Sequence, residues 1–133
     1  MIDIESQVFT ALATALRAAF PGITVTGEYQ RTPAAFPHVC IEESDNFIST
    51  EQLDSANSEK FVSVLYTVNA YSNAEAGHKS QCRAIMKVVD DTMYKLNFIR
   101  TAQTPVPNMQ EATIYRLTSL YRAKTDGTKI YRR

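Results

Sequence analysis

The stretch from Phe61 to Tyr71 places the strongest constraint on how this chain folds. Polar and apolar side chains alternate along it for eleven residues, which is the period of a β-strand and longer than the usual strand of about five to six residues. One face carries Val62, Val64, Tyr66, Val68 and Ala70. Ser72 follows at once, with Glu75 three residues later. Because that pair has the spacing of a capping box, we predict that the strand leads directly into a helix from about Ala74 to Lys95.

The rest of the chain divides into short elements of both kinds. In an N-terminal helix, ended by Phe20-Pro21-Gly22, apolar residues recur every three or four positions at Ile4, Val8, Leu12, Leu16 and Ala19. The second helix carries a stripe of Cys82, Ile85 or Met86, Val89, Met93 and Leu96. Further strands are predicted at Ile23–Thr26, His38–Glu42, from Asn97-Phe98-Ile99, at Ala112–Arg122 and at Lys129–Arg133.

Turn residues separate these elements. Asp126-Gly127 is a hairpin signal, and Thr104–Asn108, with two prolines, is predicted as a turn. The order α-β-β-β-α-β-β-β predicts an α+β fold, with an antiparallel or mixed β-sheet and two helices packed on one face. A length of 133 residues fits a single domain over 1–133.

Charge is divided unevenly between the two halves of the chain. The first 59 residues carry nine acidic and two basic side chains, a net charge of −7, whereas the remaining 74 carry five acidic and twelve basic ones, a net charge of +7. A nucleic-acid or membrane binder would need one dominant sign over its surface. Complementary faces on one subunit instead permit head-to-tail assembly into a ring.

A subunit interface follows from this division. Arg116 and Arg122 lie on the less apolar side of the last long strand, and we expect them to meet the acidic residues of a neighbouring subunit, which are Glu42, Glu43 and Asp45. The polar segment 44–59 is predicted as a long loop that works or is mobile. We expect a neighbouring chain to order it through Phe47, Ile48 and Leu53.

No pattern of catalytic or metal-binding residues stands out. His38 and His78 are the only histidines and lack metal-ligand spacing. Cys40 is expected to alternate away from His38, and it and Cys82 are interpreted as reduced, buried residues that form no disulfide. We therefore predict no catalytic residue, no metal and no cofactor.

Two alternatives from other classes stay open. Glu42, Glu43 and Asp45 are the densest acidic cluster, and a metal-dependent hydrolase or nuclease uses such carboxylates. Divalent-metal binding there would support that reading. The other alternative is a monomeric binding module, which a single-subunit mass in solution would favour.

The organisation of the chain resembles that of the tail terminator proteins of long-tailed bacteriophages. The resemblance covers nearly the whole chain and rests on order and length. Its features are the alanine-rich helix closed by Phe20-Pro21-Gly22, the strand opened by Phe36-Pro37-His38-Val39, the strand Phe61–Tyr71 passing through Ser72-Asn73 into a helix, and the strand with Ile114-Tyr115-Arg116-Leu117. Related head–tail connector and tail-completion proteins of the neck share much of this plan.

The resemblance implies a structural virion protein without an active site. It would form a ring, usually a hexamer, that caps the tail tube, stops tube polymerisation and gives the head connector or head-closure protein a docking surface. Its partners would be its own copies, the tail tube protein and the connector, with DNA passing through the lumen without sequence-specific binding and no membrane involved. The protein would be assembled in the host cytoplasm and reside in the virion tail or neck.

Overall fold

The computed structural model describes residues 2–28, 35–48, 61–74, 76–106 and 114–131. Its elements are α1 (Glu5–Ala19), β1 (Thr24–Thr26), β2 (His38–Phe47), β3 (Val62–Ser72), α2 (His78–Lys95), β4 (Ile99–Val106), β5 (Tyr115–Thr125) and β6 (Ile130–Tyr131). The predicted order of helices and strands is confirmed, and so is the α+β class.

The strands form one mixed sheet in the order β1-β2-β3-β5-β4, with β6 paired to β5. β1 runs parallel to β2, whereas every other pair is antiparallel. β3, the long alternating strand, lies between β2 and β5 at the centre of the sheet.

Both helices pack on one face of the sheet. The apolar face of β3 is buried as predicted, at Val62, Val64, Tyr66, Val68 and Ala70. The buried helix residues are Val8, Leu12, Ala13 and Leu16 of α1 and Cys82, Ile85, Met86, Val89 and Met93 of α2. Each large apolar side chain buried there contributes roughly 1.5–3 kcal/mol. Ala19, predicted to continue the α1 stripe, is exposed at the last position of the helix.

The predicted capping box at Ser72 is wrong. α2 begins at His78, four residues after Ala74, and its N-cap is Gly77 in the left-handed region at φ 78°. Ser72 stays in the sheet because it pairs with Tyr115. Its hydroxyl, fully buried, donates a hydrogen bond to the side-chain oxygen of Gln81.

Two predicted loop boundaries are also wrong. β2 runs to Phe47, so residues 44–47 of the predicted loop 44–59 are strand, and residues 49–60 lie outside the described part. Thr104–Val106, predicted as a turn, belong to β4. β4 is an edge strand, where Pro105 removes no hydrogen bond that the sheet needs.

Candidate interaction surfaces

A β-bulge in β2 decides where the acidic residues point. Glu43 pairs with Tyr66 and Asp45 pairs with Leu65, so Ser44 is an extra residue between them. Tyr66 belongs to the buried face under the helices, whereas Leu65 belongs to the opposite face, which we call the open face. Because side chains alternate along a strand, Glu42 and Asp45 lie on the open face and Glu43 lies on the helix side.

On the helix side, Glu43 meets the start of α1. Carboxylate oxygens of Asp3, Glu5 and Glu43 all lie within 4.8 Å of one another. Burial raises the pKa of Glu43, the nearby charges of Asp3 and Glu5 raise it further, and a hydrogen bond from the Tyr66 hydroxyl at 3.2 Å opposes them. Within the described residues, these are the carboxylates that could hold a metal together; Glu42, Glu43 and Asp45 are not brought together.

The two arginines predicted at the interface have different environments on the open face. Arg122 is exposed on β5. Arg116 is half-buried: its Nε donates to Asn69 Oδ1 at 3.0 Å, and its guanidinium carbon lies 5.8 Å from the centre of the Tyr71 ring. Arg116 therefore holds part of its own subunit together, and Arg122 is the arginine that is presented to solvent.

A groove of about 410 Å³ crosses the open face beside Arg122. Its side chains come from four strands and are Phe47, Ser63, Leu65, Ile99, Arg122 and Lys124. Phe47 is 51% exposed, and Ile48, just beyond the end of β2, is 42% exposed. These are two of the three apolar anchors expected from the sequence; the third, Leu53, lies outside the described residues.

The other end of the open face holds a buried polar cluster. Thr26 Oγ1 lies 3.1 Å from His38 Nε2 and 3.6 Å from Cys40 Sγ. The expectation that Cys40 alternates away from His38 is thus wrong, because residues two apart in a strand share a face. Burial lowers the pKa of His38. Thr26 joins the cluster through the parallel register of β1 against β2, which no local sequence pattern reveals.

Both cysteines are free and buried, as predicted. Burial raises the pKa of the Cys82 thiol to about 12, and its Sγ lies 3.5 Å from the Ala70 carbonyl oxygen. A thiol reacts as the thiolate, so Cys82 is poorly suited to nucleophilic chemistry in this state.

Charge separates across the sheet. β3 contains no charged residue. The described residues of 2–48, which form α1, β1 and β2, include six acidic side chains and one arginine. Those of 61–131, which include α2, β4 and β5, include nine basic and three acidic ones. The side of the subunit at α1 and β2 is therefore acidic, and the side at α2, β4 and β5 is basic.

Comparisons with known proteins identify no family for this chain. No protein-family model matches the chain, and no curated protein matches it in sequence. None of the described helices is long and apolar enough to cross a membrane.

Proposed function

We propose that this protein is a structural subunit that assembles head to tail into a ring, as a tail terminator does. The observation that carries the proposal is the separation of charge on either side of the uncharged strand β3. A ring repeats one heterologous contact, in which two different surfaces of the same subunit meet. A subunit with an acidic side and a basic side has two such surfaces.

The helix side of the sheet offers the clearest pair of contact surfaces. The acidic edge consists of Asp3, Glu5 and Glu43. On the opposite edge, a cavity is lined by three basic side chains, Arg83 and Lys87 of α2 and Arg100 of β4, together with the carboxylates of Asp90 and Asp91. Arg100 pairs with Asp90 at 3.2 Å, and neither Arg83 nor Lys87 forms an ion pair with a described residue. Complementary potentials of this kind set the register and the choice of partner more than the affinity.

The resemblance to tail terminators supplies the biological role in this proposal. The ring, a hexamer in the usual case, would cap the tail tube, end its growth and present the surface that the head connector binds, with DNA passing through its lumen. The alternative is another head–tail connector or tail-completion protein of the neck, since those proteins share the same plan.

The ring is tested by native mass and negative-stain images of the purified protein. Reversing Arg83→Glu together with Lys87→Glu places like charges across each contact, so we expect smaller assemblies of folded subunits. Adding Asp3→Lys and Glu5→Lys to the same chain should restore part of the mass. A matched control, Lys95→Glu with Lys129→Glu, makes the same change in net charge elsewhere and should retain the ring.

Two results would count against this function. A monomer at every protein concentration would favour a binding module. Rings that survive the Arg83 and Lys87 reversal unchanged would mean that other surfaces form the contact.

A further inference from the structure

The open face is covered at one end and exposed at the other. At the covered end, Cys40, Tyr71 and Ile114 form a small second core with Phe36 packed against it. At the other end lies the groove that runs over Leu65. The edges proposed to close the ring leave this face unused. If the open face also takes part in association, the contact lies in the half that contains the groove.

The register of three strands sets the groove residues in rows. Asp45 pairs with Leu65, and Leu65 pairs with Arg122. One row further on, Phe47 pairs with Ser63, which pairs with Lys124. Each row thus runs from β2 across β3 to β5, with a carboxylate or a phenyl ring at one end and a cation at the other.

The opposite charges of the first row, on Asp45 and Arg122, do not form an ion pair within the subunit. Two strand spacings separate the backbones of Asp45 and Arg122, about 10 Å, and the side chain of Leu65 stands between them. The Asp45 carboxylate accepts the Asn46 amide at 2.8 Å. Among the described residues, neither Arg122 nor Lys124 has an ion-pair partner.

We infer that two copies of this chain pack open face to open face about a two-fold axis that runs along β3. Rotation about such an axis leaves each residue at the same position along the strand direction. It places the β2 side of one subunit over the β5 side of the other. Asp45 then lies over the partner subunit's Arg122, and the partner subunit's Asp45 lies over Arg122. One symmetric contact therefore forms the same ion pair twice, as an isologous interface requires.

The apolar side chains fit the same axis. Phe47 comes to lie over the partner subunit's Lys124, at the rim of the partner's groove, where its ring can pack on the aliphatic stem of the lysine and face its charge. A two-fold axis that runs across the strands instead of along them would place β2 over the partner's β2. Asp45 would then lie over acidic residues of the partner. The charge pattern therefore selects one of the two ways of packing the faces.

Crosslinking at the axis tests the arrangement directly. Ser63 lies on β3, so two copies of Ser63→Cys would face each other across a sheet spacing of about 10 Å. We expect a bis-maleimide of that length to give covalent dimers. The native Cys40 and Cys82 are fully buried, so the wild-type chain is the background control. The matched control is Ser80→Cys, the same substitution at an exposed position of α2 on the helix side, and it should give none.

A charge exchange supplies a second, independent measurement. Asp45→Arg or Arg122→Asp alone places like charges over each other twice, and we expect the dimer dissociation constant to rise about tenfold. The double variant Asp45→Arg with Arg122→Asp should return it near the wild-type value. Circular dichroism checks that the single variants remain folded.

The outcomes separate this inference from the ring. Hexamer-sized rings without a Ser63→Cys crosslink would overturn the two-fold contact and leave the ring standing. Covalent dimers without rings would support the two-fold contact and overturn the ring. A Ser63→Cys chain that stays monomeric would mean that the groove is filled from within the chain or by another protein, and would also overturn the inference.

Discussion

The fold alters the chemistry of His38 by burying its side chain. It is 3% exposed, Thr26 contacts its Nε2, and its Nδ1 has no hydrogen-bond partner among the described residues. Burial without a charged partner disfavours the imidazolium, which is why the pKa of His38 falls below its usual 6.5.

The consequence for stability has a definite sign. Below about pH 6.5 the unfolded chain binds a proton at His38 that the folded chain does not, so the free energy of unfolding falls as the pH falls through this range. His38→Gln should therefore lose less stability between pH 7.5 and pH 5.5 than the wild type does. Urea unfolding at both pH values measures this, with His78→Gln as the control for losing an imidazole. Equal losses in wild type and His38→Gln would contradict the prediction.

The cysteines lead to a second prediction at this scale. Cys40 and Cys82 are both free and fully buried, so we expect a reductant to leave Tm unchanged and a thiol reagent to react only after unfolding. A drop in Tm of several degrees with reductant, or rapid labelling of the native protein, would show that this picture of the thiols is wrong.

Ser44 shows why the candidate surface could be predicted only in part. An unbroken period of two places Glu43 and Asp45 on one face, and the bulge at Ser44 puts them on opposite faces. A bulge depends on the pairing of two strands that are distant in sequence. No residue type near Ser44 indicates the bulge. The sequence therefore predicted which residues are acidic but not which of them share a surface.

Among the elements, α2 begins in a way that can be tested at one position. Gly77 is its N-cap at φ 78°, a conformation that costs residues with a Cβ about 1–2 kcal/mol. Gly77→Ala should lower the free energy of unfolding by about 1 kcal/mol, and Gly77→Asn by less, since asparagine tolerates this region and suits an N-cap.

Gly27→Ala is the matched control for that measurement. Its added Cβ would meet the Phe9 ring at 3.8 Å, an ordinary contact, and its backbone lies outside the left-handed region. We expect stability near that of the wild type. If Gly77→Ala costs no more than Gly27→Ala, then α2 begins at another residue in solution.

The elements themselves were predictable because their patterns are local. The buried stripes of α1 and α2 and the alternation of β3 follow from side-chain spacing alone. The ends of the elements were not predictable, because they depend on residues that are distant in sequence. Tyr115 keeps Ser72 in β3, and the edge position of β4 accommodates Pro105.

At the scale of the whole molecule, the proposed assembly should depend on salt. Ionic strength shortens the range of charge interactions from about 10 Å at 0.1 M to about 3 Å at 1 M. We therefore expect the native mass to fall as sodium chloride is raised across that interval at fixed protein concentration. A mass that stays constant or rises would mean that apolar contacts hold the assembly together.

The uncharged centre of the sheet also governs how two subunits approach each other. The chain has no net charge at pH 7, so two copies do not repel at long range, but negative and positive sides flanking β3 give each subunit a large electric dipole. Two such dipoles attract when they lie end to end and repel when they lie side by side in the same sense. The subunits would thus rotate into a preferred orientation before they touch, and encounters in that orientation would outnumber the rest.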